Sequence, residues 1–231
     1  TRVLISGWKR ARIIHVNEEM PYLQEDVEAL GVFKTLQTAD NFRIESSVKN
    51  LNLEIVSGWA SKADAFGVLA GKAIGFNIYN ITVNAPDVVL VGGNAVGGVV
   101  GYAAGEFDID GISANIGVNS TRELSAYRYN IYAGKNNNLE SNLNKVFYAG
   151  SAFGVVDGYD GRYFDINTVR DVEKDKYVIN HIKVEGDPVL IGDTVGGAFG
   201  FVGEKVLAKN INVNLAGAQF KGYQYSAGLA G

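Results

Sequence analysis

Polar and apolar residues alternate in five segments of the chain that share one pattern. In each segment an asparagine, glycine or histidine is followed by residues that are apolar and polar in turn, which is typical of a strand with one buried face. The residue before the alternation is of a type that adopts left-handed or turn conformations, so each segment predicts a corner followed by a short strand. The segments are Val48–Leu53, Ile78–Val83, Ile109–Ala114, Ile179–Val184 and Ala208–Val213.

A glycine-containing phrase with a run of Val, Leu, Phe or Ala recurs six times, and in most copies a second glycine closes the run. Its lead glycines are Gly31, Gly67, Gly97, Gly154, Gly196 and Gly228, which are 36, 30, 57, 42 and 32 residues apart. A unit of about 30 residues with two longer steps is typical of stacked repeats that carry insertions. We predict insertions near residues 120–148 and 170–177.

These repeats predict strands rather than helices. Each glycine inside a helix would cost about 1 kcal/mol relative to alanine, and the repeats are rich in Val and Ile. A unit of three short strands cannot bury its apolar face alone, so neighbouring units must stack. We therefore predict an all-β fold, a right-handed parallel β-helix (a solenoid) over residues 30–231. Asn50, Asn80 and Asn210 are expected to stack at one corner as a hydrogen-bonded ladder, with His181 as a variant of the same position.

The two ends of the chain differ from the repeats. Val3–Ile5 and Arg12–Val16 predict short strands, and Pro21–Leu30 predicts an amphipathic helix with Leu30 on its apolar face. A solenoid needs its terminal coil covered, so residues 1–29 are expected to form a small α+β N-terminal cap, the alternative being a linker. At the other end, Ala227–Gly231 lies partway through a repeat. We expect the remainder of a longer parent chain, or a second chain, to complete it.

Two stretches of the repeats resemble a known motif. AVGGVVGYAAG (residues 95–105) and TVGGAFGFVG (residues 194–203), followed by strands like KNINV (residues 209–213), resemble GLUG-motif repeats. Such repeats occur in large bacterial surface and secreted proteins, including adhesins and the non-catalytic regions of IgA-cleaving peptidases. The resemblance covers about residues 30–231, although the copy at Leu30 lacks the second glycine. It implies the stacked architecture and a secreted or cell-surface location.

The longest step between repeats holds residues whose chemistry suits a binding surface. Tyr127, Tyr129 and Tyr132 lie there, followed by Asn136 and Asn137. Insertions from a solenoid cluster on one face and often bind ligands, and tyrosine with asparagine is common at recognition surfaces. These five residues are the candidate ligand-binding site. The alternative is that the tyrosines pack an ordinary strand or helix against the repeats.

Three aspartates lie close together in the stretch DGYDGRYFD. Asp157, Asp160 and Asp165 could hold calcium on a glycine-rich turn, or, with Arg162, divide acid and base roles as in a carbohydrate-active enzyme. Their spacing matches neither an EF-hand loop nor the calcium-binding nonapeptide repeat, and aspartates that cap their own turns explain the cluster without a ligand. The three aspartates are the candidate calcium site. No catalytic residue and no other cofactor are expected.

Composition excludes several function classes. The chain has no cysteine, which excludes disulfides, thiolate metal ligands and cysteine nucleophiles. Its net charge of −4 argues against non-specific nucleic-acid binding, which needs a basic surface. Val88–Gly105 carries no charge, but equivalent repeats contain Asp157 and Glu204–Lys205 in or beside the same run, so we expect no membrane span.

The residues together favour a structural and binding role over catalysis. We expect a non-catalytic β-helical stalk and adhesion module of a larger bacterial surface or secreted protein, one associated with virulence. Its expected partners are a host-cell surface protein or a glycan. The alternatives are a carbohydrate-active β-helix enzyme that uses the aspartate cluster, and the non-catalytic part of a secreted toxin or peptidase.

Overall fold

The computed structural model describes residues 2–5, 29–37, 46–55, 59–60, 63–86, 88–117, 129–134, 146–158 and 177–231. Every regular element in these ranges is a β-strand, so the all-β prediction is confirmed for them. The same ranges contain no helix long and apolar enough to cross a membrane. The uncharged stretch Val88–Gly105 contains three short strands.

The described residues form twenty strands. The first ten are β1 (Arg2–Ile5), β2 (Ala29–Leu30), β3 (Phe33–Gln37), β4 (Ser47–Ile55), β5 (Trp59–Ala60), β6 (Ala65–Gly67), β7 (Ala70–Ile74), β8 (Asn77–Ala85), β9 (Leu90–Gly92) and β10 (Ala95–Gly97). The others are β11 (Val100–Ala104), β12 (Asp108–Ile116), β13 (Ile131–Ala133), β14 (Tyr148–Gly150), β15 (Phe153–Asp157), β16 (Tyr177–Glu185), β17 (Val189–Gly196), β18 (Phe199–Val202), β19 (Val206–Asn214) and β20 (Gln219–Ala227).

The strands pair in parallel within three sheets. Sheet A has the order β1-β4-β8-β12-β16-β19, and sheet C has the order β18-β15-β11-β7-β3. Sheet B has the order β2-β6-β10-β14-β17-β13-β9-β5, and β20 also pairs with β17. The chain passes from sheet B to sheet C to sheet A in each repeat, as in β10, β11 and β12. A strand of one repeat therefore pairs with the corresponding strand of the next.

The register of sheet B corrects two predicted repeat boundaries. At the last of them, Gly196 pairs with Ala227, so the prediction of Gly228 as the lead residue was wrong. Gly97 pairs with Gly67 on one side and Gly150 on the other, and Gly150 pairs with Gly196. The lead glycine of the fourth repeat is thus Gly150, and the prediction of Gly154 was wrong. Four copies contain two glycines four residues apart, and Gly154 is the second of its pair. The steps between lead glycines become 30, 53 and 46 residues.

Glycine is required at Gly97 because two backbones meet there. A Cβ atom on Gly97 would lie against the carbonyl oxygen of Val100, in its own repeat, and 2.6 Å from the amide nitrogen of Gly154 in the next. Only two residues separate Gly97, which ends β10, from Val100, which begins β11. The glycine therefore permits the sharp bend from sheet B to sheet C.

The predicted corner in sheet A is confirmed. Asn50, Asn80, Gly111, His181 and Asn210 all have positive φ, between 49° and 71°. The register places these residues at one position of β4, β8, β12, β16 and β19. Asn, Gly and His tolerate this left-handed conformation, and this explains why each corner holds one of these three residue types.

The apolar residues of all three sheets face one another in a single core. Ile78, Ile81 and Val83 of β8 are fully buried, and they belong to the same cluster as Phe66 of sheet B and Ala73 of sheet C. The rings of Phe153 and Phe199, from neighbouring repeats, stack with centroids 5.6 Å apart. Core residues thus pack between repeats as well as between sheets.

The predicted α+β cap at residues 1–29 is not seen. Ala29–Leu30, the predicted end of a helix, is strand β2, in register with Ala65 and Phe66. Arg2–Ile5 is a strand, but it pairs with residues Asn52 to Ile55 of β4 and so extends sheet A. Leu30 fits a strand because it occupies the position of Phe66 and Val96, which are buried in the core before their lead glycines. The rest of the predicted cap, including Arg12–Val16 and most of Pro21–Leu30, lies outside the described residues.

The predicted insertion at residues 120–148 contains parts of sheet B. Ile131–Ala133 is strand β13, and Tyr148 begins strand β14. Residues 118–128 and 135–145, on either side of β13, lie outside the described residues. The predicted insertion at 170–177 falls within the step from Gly158 to Tyr177, of which residues 159–176 also lie outside the described residues.

Candidate functional site

Two of the five predicted ligand-binding residues are described, and the structure brings them together. The rings of Tyr129 and Tyr132 have centroids 5.3 Å apart and are tilted by 44°. Tyr127, Asn136 and Asn137 lie outside the described residues. The candidate site therefore consists of Tyr129, Tyr132 and the residues around them.

Strand β13 directs Tyr132 to the outer face of sheet B. Ile131 and Ala133, its neighbours along the strand, are buried in the core, so the side chain between them projects to the opposite side. Tyr132 pairs with Val91 of β9 and with Ile191 of β17. Of the three tyrosines, Tyr132 lies in a strand, and its ring is half-buried on the outer face. The alternative, that the three tyrosines pack an ordinary strand or helix against the repeats, stays a prediction.

A bulge in the next strand brings a second pair of tyrosines to this face. Gly192 pairs with Gly222 and Thr194 pairs with Tyr225, so two residues of β20 lie opposite Asp193 of β17. An extra residue in a strand re-aims its side chains. The bulge contains Tyr223, which is 78% exposed, and is followed by Tyr225, which is 65% exposed.

Asp193 acts on tyrosines of two strands, Tyr132 of β13 and Tyr148 of β14. Burial raises the pKa of Tyr132 above the ordinary tyrosine value, and the electrostatic influence of Tyr223 and of Asp193 raises this pKa further. Burial, followed by the charge of Asp193, also raises the pKa of Tyr148 in β14. Both phenols are therefore neutral hydrogen-bond donors at neutral pH.

Backbone hydrogen bonds hold Asp193 in place. Its amide donates to the carbonyl of Phe147 at 2.9 Å, and its Oδ2 accepts a hydrogen bond from the amide of Phe147 at 3.1 Å. The ring of Tyr148, the next residue, lies 5.2 Å from that of Phe201 between centroids. The carboxylate thus anchors the chain where it enters β14 and also contributes charge to the outer face.

We call this set of residues the tyrosine surface. Its members are Tyr129, Tyr132, Tyr148, Asp193, Tyr223 and Tyr225. Aromatic rings offer apolar faces, phenol groups donate and accept hydrogen bonds, and the carboxylate accepts them. The combination suits a ligand that has both apolar ring faces and hydroxyl groups.

Sequence reasoning missed four members of the tyrosine surface. Tyr223 and Tyr225 lie two residues apart in GYQYSAG, a spacing that places both side chains on one face of a regular strand. This spacing is a local signal for the pair. Tyr148 and Asp193 carry no local signal, because the pairing of β14 with β17 is what brings them together.

The candidate calcium site is described at one residue. Asp157 ends β15, where it pairs with Ala104, and its carboxylate lies against Gly203 of the next repeat. Asp160, Arg162 and Asp165 lie outside the described residues. Across the part of the chain that the structure describes, no three His, Asp or Glu side chains are grouped to hold a metal ion. Calcium binding by the three aspartates stays a prediction.

The predicted position of His181 is confirmed. It occupies the left-handed corner with φ of 49°, and its Nδ1 lies 2.8 Å from Oδ1 of Asp110 in the neighbouring repeat. Its Nε2 lies 3.4 Å from Nδ2 of Asn210 in the following one. His181 therefore joins three repeats at the corner, as expected of a ladder residue.

Comparisons with protein-family models, curated proteins and solved structures found no match to this chain. The resemblance of its repeats to the GLUG motif is therefore unsupported by these comparisons and stays a prediction.

Proposed function

We propose that this chain is a right-handed parallel β-helix that acts as a non-catalytic stalk and adhesion module and binds glycans through the tyrosine surface. The parent would be a larger bacterial surface or secreted protein, and the partner a glycan or glycoprotein of a host cell. The repeated passage from sheet B to C to A around one core supports the β-helix. A rigid scaffold of this kind holds a binding surface at a fixed distance from its attachment point.

The observation that carries the binding role is the exposure of Tyr223 and Tyr225. Large aromatic side chains left in water next to other aromatic side chains mark interaction surfaces more often than isolated ones do. Here two exposed rings lie on the same sheet as Tyr132, whose half-buried ring contacts the ring of Tyr129. The arrangement combines aromatic rings that a ligand can contact with a hydrogen-bond acceptor held in place, Asp193.

A glycan matches this chemistry better than an acidic ligand does. The apolar face of a pyranose ring stacks on an aromatic ring, while its hydroxyls bond to phenols and carboxylates. The negative charge of Asp193 favours neutral or amine-bearing sugars over acidic ones. We therefore expect neutral glycans to bind more tightly than sialylated forms of the same glycans.

The test is a glycan array probed with the wild-type chain and with the double variant Tyr223→Ala/Tyr225→Ala. Each ring is exposed, so the variant is expected to fold normally while its binding falls at least tenfold. The matched control is Tyr102→Ala, which removes a tyrosine from β11 in sheet C. Unchanged binding by the double variant, or an equal loss in the control, would refute the site.

A host-cell binding assay separates the two kinds of partner. Binding that disappears when the cells are treated with glycosidases supports a glycan. Binding that survives this treatment and is still lost in the tyrosine double variant would point to a host surface protein at the same site, and the glycan assignment would be wrong.

A further inference from the structure

We infer that the chain carries a second binding site, on sheet A, for an uncharged ligand rich in hydroxyl groups, such as a neutral pyranose. The site is a cleft of about 440 Å³ lined by Asn50, Asn52, Asn80, Thr82 and Gly111. It lies on a different sheet from the tyrosine surface, and the inference does not depend on the proposed function.

Three neighbouring strands build the cleft. Asn52 of β4 pairs with Thr82 of β8, and Gly111 of β12 occupies the corner position next to Asn80. Leu51 and Ile81, which alternate with the lining residues, are buried in the core. The polar side chains therefore project together from the outer face of sheet A.

Gly111 opens the cleft by interrupting the column of corner side chains. A Cβ atom there would lie 2.6 Å from Oδ1 of Asn80, so this oxygen lies over Gly111, where other repeats carry a side chain. On the far side, the ring of His181 turns to Asp110, with Nδ1 2.8 Å from Oδ1. The corner thus carries a side chain in the repeats before and after β12, and a gap in β12 itself.

A hydrogen bond orients the amide beside the gap. Nδ2 of Asn80 donates to Oδ1 of Asn50 at 3.1 Å. Because the amide nitrogen is directed to Asn50, the oxygen is directed to the side of Gly111. A ligand in the cleft would meet a fixed acceptor and would not have to order it on binding.

The lining contains carboxamides, one hydroxyl and a glycine, with no ionisable side chain. A carboxamide both donates and accepts, so it can bond to two neighbouring hydroxyls of a sugar. A charged ligand would lose hydration without gaining a counter-charge from these residues. The volume lies within the roughly 300–1,000 Å³ typical of small-molecule sites.

The binding test is amide NMR of the ¹⁵N-labelled chain with two matched probes at millimolar concentration. Methyl β-D-glucopyranoside is neutral, and methyl β-D-glucuronide differs from it by a carboxylate. We expect the neutral probe to shift the side-chain amide signals of Asn50, Asn52 and Asn80, and the anionic probe to shift them less. No shift with the neutral probe, or equal shifts with both, would overturn the inference.

Three variants localise the effect. Thr82→Val keeps the shape but removes the hydroxyl, and it should weaken binding roughly fivefold, the loss of one hydrogen bond. Gly111→Asn places in the gap the residue type found at the corner in other repeats, and it should abolish binding. Asn214→Ala, at the end of β19 in the same sheet, is the control and should bind as wild type.

The outcomes remain distinct from those of the tyrosine surface. A folded Gly111→Asn variant that still binds the neutral probe would refute the cleft; if that variant does not fold, unchanged binding by Thr82→Val would do so. The double variant Tyr223→Ala/Tyr225→Ala should keep the sheet A shifts, so either site can fail without the other.

Discussion

The side chain of Asn80 donates a hydrogen bond to the side chain of Asn50 across 3.1 Å, although the two residues are 30 positions apart. Both adopt left-handed backbone conformations at the same corner of adjacent repeats. The bond thus links two repeats at a point where each strand bends. A similar contact recurs further along, where Nδ2 of Asn210 donates to Oδ1 of Asn180 at 2.9 Å.

Replacing Asn80 should separate the cost of the hydrogen bond from the cost of the backbone conformation. Asn80→Gly loses the hydrogen bond but still adopts a positive φ easily. Asn80→Ala loses the hydrogen bond and is also strained at a positive φ. We expect the free energy of unfolding to fall by about 1 kcal/mol in the glycine variant and by about 2–3 kcal/mol in the alanine variant. Urea denaturation measures both. An alanine variant as stable as the glycine variant would contradict the role of the corner.

Two glycines near the bend from sheet B to sheet C should respond very differently to the same added methyl group. Gly97→Ala forces a Cβ atom against the backbone of its own and the next repeat, and should destabilise the fold by more than about 3 kcal/mol. Gly228→Ala adds a Cβ atom with nothing within 4 Å, and should change stability by less than about 0.5 kcal/mol. Thermal unfolding of the pair tests the register, and equal effects would show it to be wrong.

Phe153 should be among the most sensitive core positions. It is fully buried and stacks on Phe199 of the next repeat. Truncation to alanine leaves a cavity between repeats and should cost about 3–5 kcal/mol in unfolding free energy. Tyr223→Ala, which removes a ring that is 78% exposed, is the control and should be near neutral. Chemical denaturation that finds similar losses in both variants would argue against this core.

Tyr132 and Tyr148, the tyrosines beside Asp193, should ionise at a higher pH than ordinary tyrosines do. The folded pKa of Tyr132 and of Tyr148 is raised, so their contribution to stability is fully present below the ordinary tyrosine pKa. It is lost as the pH rises through the folded values. Asp193→Asn removes one cause of the rise, while burial remains, so both pKa values should fall but stay above the ordinary value.

Ultraviolet absorbance of tyrosinate follows this titration, and Tyr132→Phe identifies the contribution of Tyr132 by difference. If Asp193→Asn leaves the titration of Tyr132 unchanged, Asp193 is not near enough to act on it, and the proposed composition of the tyrosine surface would have to be revised.

Features that depend on local conformation were predictable from the sequence. Alternation at Ile78–Val83 predicted β8, and the residue type at Asn80 predicted the left-handed corner. The register across the long step after Gly97 was not predictable from the sequence. Gly150 and Gly154, taken as single glycines, fit the repeat equally well. Strand pairing with Gly97 and Gly196 decides between them, and that is a non-local property.

The same division applies to the candidate site. Tyr129 and Tyr132 were predictable as a pair because they are neighbours in sequence, and their rings do contact each other. Their association with Tyr148 and Tyr223 depends on β17, which pairs with β13, β14 and β20. Residues from three repeats meet there, so no single stretch of sequence carries the pattern.

The uneven spacing of the strands has an evolutionary consequence. Ile109 pairs with Ile78, 31 residues before it, and with Ile179, 70 residues after it, in an uninterrupted ladder. Closing the longer segment costs roughly 0.7 kcal/mol more, because loop entropy grows only with the logarithm of length. Segments between sheets can therefore be lengthened or exchanged during evolution at little thermodynamic cost. A lineage could thus diversify what it recognises while inheriting an unchanged scaffold.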